Sequence, residues 1–263
     1  MANMEEAIEN IEFLAGSKTR VRILDLLSQH KELDKQELRD QIDASRTTVQ
    51  RNLDTLVDQG WIQNTNRTYE IDTCGDLVAE KFLELTETIE IESRLQPFLK
   101  WVDRPEFDLD LHLLADAELL VAEPGDPWSM INRQVQLIRE TDNGGIGFLP
   151  FTGLHACEVT HNQILNHDAS YELVVVPKIA DTHFSDPAYG NLFTEMIKSG
   201  RLNYFVYEGD LPYSLVIIDG TIQIIVADGD EPRAMLETDS EEVREWAEEK
   251  YESYKQRSEP VSI

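Results

Sequence analysis

The chain has 263 residues, enough for roughly two domains, and its 41% hydrophobic content supports cores of ordinary size. With 51 Asp and Glu against 23 Lys and Arg, the formal net charge is −28, the reverse of the basic excess usual in DNA-binding proteins. Two widely spaced cysteines, Cys74 and Cys157, argue against a disulfide scaffold, no apolar run has the length of a membrane span, and the chain starts without the layout of a secretion signal, so a cytoplasmic protein with no membrane contact is expected.

Residues 5–15 read as a short amphipathic lead-in, with Ile8, Ile11 and Leu14 at three-residue spacing. The spacing of Val21, Leu24 and Leu27 predicts a helix from Lys18 to Gln29. Asp34 followed by Glu37 is a capping-box pair, and it opens a short second helix that buries Leu38 and Ile42. Ser45 caps a third helix whose apolar stripe is Val49, Leu53, Leu56 and Val57, ended by Gly60. Two short strands, Trp61–Gln63 and Thr68–Ile71, then flank Asn64–Arg67 as a hairpin. From Asp76 to about Val102 the chain is helical again. Val78, Phe82, Leu85 and Ile89 form a seam of two heptads, which either pairs with its twin or packs on its own chain, and Pro97 and Pro105 bracket the next boundary.

Beyond residue 106 strands and helices alternate. Strands are expected at Asp108–Leu114, Leu119–Ala122, Ile146–Pro150, Glu172–Pro177, Asn203–Tyr207, Ser214–Ile218 and Gln223–Ala227, with Asp219-Gly220 as a tight turn. Helices are expected at Met130–Glu140, His155–Asn166, Leu192–Ser199 and from about Thr238 onward, the last with Val243, Trp246, Ala247 and Tyr254 inward. The run Leu173 to Val176 suits a strand covered on both faces.

The first 70 residues thus have the order of a winged helix-turn-helix, which reads double-stranded DNA. A recognition helix enters the major groove with a slim, polar first turn. Ser45, Arg46, Thr47, Thr48, Gln50 and Arg51 meet that need: arginines reach phosphate or guanine edges, and glutamine can pair with adenine. Thr48 serves equally well as a cap. Lys18 and Arg20 at the first helix and Arg67 at the hairpin tip are candidate backbone or minor-groove contacts. Charge divides the same way, since residues 1–70 hold 9 basic and 13 acidic side chains and residues 71–263 hold 14 and 38. Acid spread so evenly, with only 9 lysines, resembles the proteins of salt-in haloarchaea, whose molar salt shortens the Debye length to about 3 Å; an ordinary acidic protein or an acidic docking face is the alternative.

The stretch from Ile42 to Ile62 resembles archaeal winged-helix regulators of the ArsR, MarR and TrmB kind. Leu173 to Pro177, Tyr204 to Tyr213, Pro232 to Glu237 and Trp246-Ala247 together resemble the effector domains of TrmB-type and FilR-type archaeal regulators. This resemblance implies a phospholipase-D-like α/β sensor fold, a small-molecule signal and a homodimer on an operator with two half-sites. Enzymes of that fold need His-x-Lys, and no histidine is followed two residues later by lysine: His30, His112, His155, His161, His167 and His183 precede Glu, Leu, Cys, Gln, Ala and Ser. A binding role without cofactor is therefore expected, rather than catalysis.

The plan that results is a winged helix-turn-helix over 1–75, a linker or dimerisation helix over 76–105 and an α/β effector-sensing domain over 106–263. Arg133, Arg139 and His155 are the candidate effector contacts, for a sugar or a phosphorylated metabolite; the two arginines are otherwise salt-bridged on a helix face. His155, Cys157, Glu158 and His161 read as a helix with a buried cysteine more readily than as a metal site or an oxidant sensor. Gly144 to Gly147 lacks the lysine of a phosphate loop and reads as a turn into a strand, with backbone amides as the remaining route to phosphate. The other function classes are an enzyme with an auxiliary DNA-binding module, and a ligand-free interaction protein.

Overall fold

A computed structural model describes residues 2–30, 32–123, 125–126 and 128–262, with side chains from residue 4 onward. Contacts divide the chain into two compact units, residues 1–89 and 90–263. Among the described residues no helix is long and apolar enough to cross a membrane.

The first unit runs α1 (Ala2–Ala15), α2 (Lys18–Gln29), β1 (Leu33–Asp34), α3 (Lys35–Gln41), α4 (Arg46–Asp58), β2 (Ile62–Thr65), β3 (Thr68–Ile71) and the first part of α5 (Thr73–Leu99). Local chemistry sets its punctuation. Asp34 accepts from the Gln36 and Glu37 amides while Glu37 accepts from the Asp34 amide, which completes the expected capping box. Ser45 accepts from the Thr48 amide at 3.1 Å, and Gly60 closes α4 at φ +71. The hairpin is tighter than expected. β2 continues to Thr65, and the turn narrows to Asn66 and Arg67, both at positive φ, the geometry that suits a two-residue turn to strand twist. Sequence also gave no sign of β1, which pairs with β3 and makes a three-stranded sheet. Leu24, Leu27, Leu38, Val49, Leu53 and Leu56 form the core, with Val78, Ala79 and Phe82 of α5 against it. In the lead-in helix only Leu14 is buried; Ile8 and Ile11 stay exposed.

That packing divides the helix expected as a linker or dimerisation element over residues 76–105 between two cores. The early α5 side chains belong to the first core, whereas Ile91, Leu95 and Phe98 belong to the second. Pro97 lies inside the helix instead of ending it. Of the expected seam, Leu85 and Ile89 remain exposed.

The second unit continues with β4 (Glu118–Val121), α6 (Ser129–Glu140), β5 (Gly144–Leu149), α7 (Leu154–Asn166), β6 (Ser170–Val175), α8 (Pro177–Ser185), α9 (Pro187–Lys198), β7 (Leu202–Val206), β8 (Ser214–Ile218), β9 (Thr221–Asp228), β10 (Glu231–Thr238), α10 (Glu241–Lys255) and β11 (Glu259–Pro260). Its eight strands lie in the order β11-β7-β6-β5-β8-β9-β10-β4, with β5, β6 and β7 mutually parallel and the other pairings antiparallel. One face carries Val243, Ala247, Tyr251 and Tyr254 of α10, and the other carries α6, α7, α8 and α9. A sheet covered on both faces explains the apolar run in β6.

Several expectations fail here for visible reasons. Asp108–Leu114 is not a strand: Asp110 accepts from the His112 amide and starts a 3₁₀ turn at Leu111–Leu114 that buries Leu114. Strand β10 lies outside the expected strands; a register shift between Pro232 and Ala234 accommodates its proline. Pro177 opens α8 instead of closing a strand. Helix α10 is capped by Ser240 rather than Thr238.

Glycine sets the middle of the sheet. Gly144 to Leu149 form β5, hydrogen-bonded on both sides, so their amides are not presented as a phosphate loop. A Cβ on Gly145 would lie 2.4 Å from the Ile217 carbonyl oxygen, and one on Gly147 2.5 Å from that of Leu215. Crowding of this kind costs about 1–3 kcal/mol. Gly145→Ala is accordingly expected to lower the denaturant midpoint of the second unit's unfolding; an unchanged midpoint would show that β5 and β8 are not so closely opposed.

Candidate functional site

In the first unit, α4 buries Val49, Asn52, Leu53 and Leu56 and turns Arg46, Thr47 and Arg51 outward. Among the described residues none of Arg46, Arg51 or Arg67 forms an ion pair, and Arg67 stands exposed in the hairpin turn at φ +81. Lys18 is exposed at the start of α2. Arg20 packs its guanidinium 3.9 Å above the Phe13 ring, and Phe13 in turn meets Trp61 edge-on. Burial, and then the charge of Arg51, press the Arg20 pKa below its usual value. The two arginines are thus close enough to repel, which concentrates positive charge in a unit of small net charge.

Not every expected contact points outward. The Thr48 hydroxyl lies 2.9 Å from the Ser45 hydroxyl, so both close the α4 cap. Gln50 donates to Asp54 at 2.6 Å, and that bond must be exchanged before Gln50 could address a base.

Two positioning residues were missed. Asn52 is buried; its amide donates to the Thr48 carbonyl at 2.8 Å and its oxygen accepts from the Ser17 hydroxyl at 3.2 Å. Ser17 also caps α2 through the Arg20 amide. A polar residue on the inner face of an otherwise apolar stripe was the available signal for Asn52.

The second unit holds a cavity of about 160 Å³ among α6, α7, α9 and strands β5, β6 and β8. Ile131, Ile138, Leu149, Phe193, Met196 and Val216 supply apolar wall; Thr152, Cys157, Tyr171 and His183 supply polar atoms. His183 is buried, with Nε2 2.7 Å from the Thr152 hydroxyl and Nδ1 2.7 Å from the Tyr204 hydroxyl, and its ring stacks on Phe193. Burial lowers its pKa to about 4, so it is neutral. Burial also pushes the Cys157 thiol up to about 11, which removes the thiolate an oxidant sensor would use.

The three expected effector residues are not brought together there. Arg133 binds Glu237 through Nε at 3.0 Å to both carboxylate oxygens and through Nη2, and Gln223 donates to the same carboxylate at 2.6 Å. Arg139 is exposed at the end of α6. His155 is exposed, 3.6 Å from Glu158. None of the three lines the cavity. His161 pairs with Glu195 at 2.7 Å rather than with Cys157, and among the described residues no cluster of His, Cys, Asp or Glu could hold a metal ion.

Residues 8–94 match the family model of the HVO_A0261 N-terminal domain, and residues 127–257 match that of the middle domain of the methanogenesis regulatory protein FilR1. The chain therefore carries the domain make-up of a TrmB/FilR-like regulator. No curated protein sequence matches it. Among solved structures, the archaeal chromatin protein TrmBL2 aligns at 12% identity and TM-score 0.44, over 93% of this chain and 94% of that one. A phospholipase D family member, Nuc from Salmonella typhimurium, aligns at 10% identity and TM-score 0.43, over 56% of this chain and 99% of its own. NucT from Helicobacter pylori gives 12% and 0.43, over 56% and 98%.

Because the native ring of His183 is neutral, the stability this contributes is whole above the unfolded pKa of about 6.5 and is lost as pH falls from there toward 4. At pH 5 the loss relative to pH 7 is about 2 kcal/mol. In denaturant titrations at the two pH values, His183→Gln should shrink the difference by that amount; an identical difference in both proteins would mean that His183 is not buried neutral.

Proposed function

We propose that this TrmB/FilR-like regulator is a homodimeric, cytoplasmic DNA-binding transcription factor. In this reading α4 enters the major groove, the β2–β3 wing tracks the adjacent groove, and the cavity of the second unit takes a small-molecule effector. One observation carries the DNA reading: the outward face of α4 presents Arg46, Thr47 and Arg51, and the flanking cations Lys18, Arg20 and Arg67 belong to the same small unit. Arginine and threonine at the first turns of a recognition helix match base-edge chemistry, while the flanking cations match phosphates.

The charge distribution supports local rather than global attraction. With 33 acidic side chains against 13 basic ones in residues 90–263, the second unit repels a nucleic acid, so contact falls to the first. Molar salt would screen this repulsion within about 3 Å, in keeping with a halophilic host. Binding rather than turnover at the cavity is supported by its chemistry, since the Cys157 thiol is protonated and both ring nitrogens of His183 are committed to neighbouring hydroxyls.

A dimer is supported by apolar side chains left in solvent: Met4, Ile8 and Ile11 on α1, and Leu77, Leu85 and Ile89 on α5. Two copies would cover them and present two recognition helices to an operator with two half-sites. Ile8→Glu with Ile11→Glu is expected to shift the mass in light scattering toward the monomer; an unaltered dimer would place the interface elsewhere.

Arg46→Ala and Arg51→Ala should each weaken operator binding in a mobility-shift assay by about 1–3 kcal/mol if they read guanine, with relaxed preference at one base pair. Lys18→Ala should weaken all duplexes alike and reduce the slope of log affinity against log salt by about 1. Wild-type affinity in the double arginine variant would count against the whole DNA assignment.

A further inference from the structure

Resting on the reading of the second unit as an effector domain, the geometry points to a neutral, largely apolar ligand of single-ring size bearing one hydroxyl or carbonyl group, of the phenol or cyclic-ketone class, in the cavity between α6, α7 and the sheet. A sugar or a phosphorylated metabolite does not fit it.

Size comes first. A void of about 160 Å³ compares with the roughly 150 Å³ apolar cavity that accepts benzene. Its wall is mostly Ile, Leu, Phe, Met and Val, as small-ligand sites commonly are.

Charge decides the class. Among the described residues that line the cavity there is no Lys or Arg, and the one ionised side chain is Asp230. Lys178, the cation nearest to that carboxylate, is already bound to it at 2.8 Å. Arg133, read from the sequence as either an effector contact or a salt-bridged residue, is held by Glu237. A phosphate or carboxylate entering here would give up its water for no counter-charge and would face a carboxylate, which is strongly unfavourable.

Polar capacity is small and of hydroxyl type. The Thr152 hydroxyl uses one bonding function on His183 and another on Cys157 Sγ at 3.4 Å, and keeps an acceptor site whichever ring tautomer is present. The Tyr171 hydroxyl is buried with no hydrogen-bond partner, a deficit that a ligand oxygen could meet. Gln134 and Thr160 also line the wall, but Thr160 is committed to the Ala156 carbonyl at 2.9 Å. A polyol would bring more hydroxyls than these groups can satisfy, whereas one oxygen on a ring matches them. Trp128, 64% exposed, lines the cavity as well and supplies a reporter.

The test uses the full chain. Phenol, cyclohexanone, toluene, benzoate and glucose 6-phosphate are titrated by calorimetry and by tryptophan fluorescence, with Trp128→Phe as the reporter control. Saturable binding of phenol or cyclohexanone, one per chain, tighter than benzoate and glucose 6-phosphate, is expected. Ala156→Leu, which fills the cavity, should abolish it. Thr152→Val, nearly isosteric, should weaken phenol by roughly fivefold while leaving toluene unchanged, and unchanged toluene binding is the check that losing the bond to His183 has left the cavity intact. No saturable binding of either neutral ring compound up to millimolar concentration, or preferential binding of benzoate or glucose 6-phosphate, overturns the inference. If glucose 6-phosphate binds and alters operator affinity, the effector reading stands and this ligand class falls. If phenol fills the cavity and operator affinity is unmoved, the ligand class stands and the effector reading falls.

Discussion

The first unit depends on one buried amide. Asn52 joins the cap of α2, through Ser17, to the first turn of α4, through the Thr48 carbonyl. Buried polar groups must be paired, and here the pairing fixes two helix starts against each other. Lys18 and Arg20 stand at one start, Arg46 and Arg51 at the other. The apolar packing of Leu24, Leu53 and Leu56 decides which faces turn inward, and this directional link adds a fixed alignment of the two helix starts. The cationic surface is thus a product of hydrogen-bond geometry as much as of charge.

Arg20 shows how such a surface is kept in place. Its guanidinium lies on Phe13, itself packed on Trp61, and the charge of Arg51 is near enough to depress its pKa. Like charges are held together only where packing outweighs their repulsion. A polyanion laid on the patch would relieve that repulsion, in keeping with the DNA contact proposed for it.

In the second unit, the corresponding constraint is the absence of side chains. Gly145 and Gly147 let the backbone of β8 lie against β5 in the centre of the sheet. The same strand borders the cavity at Gly145, Ile146 and Leu149. Closely packed sheet below and helices above leave a mostly apolar space, in which His183 is bound to Thr152 and Tyr204 while the Tyr171 hydroxyl has no partner. Arg133, Glu237 and Gln223 meet outside it, where a buried carboxylate needs both its donors. Asp230 apart, the cavity lining is uncharged, because Arg133 is neutralised by Glu237 outside it.

Sequence alone determined the elements whose causes are local. The Asp34–Glu37 capping box, the Ser45 cap, the Gly60 stop, the two-residue turn at Asp219-Gly220 and the apolar strand β6 depend on neighbours within a few positions, and each is where the pattern placed it. The outward cations of α4 were legible for the same reason, since a helix period sorts inner from outer residues. Everything that required distant partners was decided by tertiary structure. β1 exists because β3 offers it an edge, and β10 because a bulge absorbs Pro232. Arg133 turned from ligand anchor to structural partner on meeting Glu237, 104 residues away. His183, unremarked as a lone histidine, became a neutral cavity residue through Thr152 and Tyr204. Charge and hydrogen-bonding capacity belong to a residue, but whether they remain free is set by what folds against it.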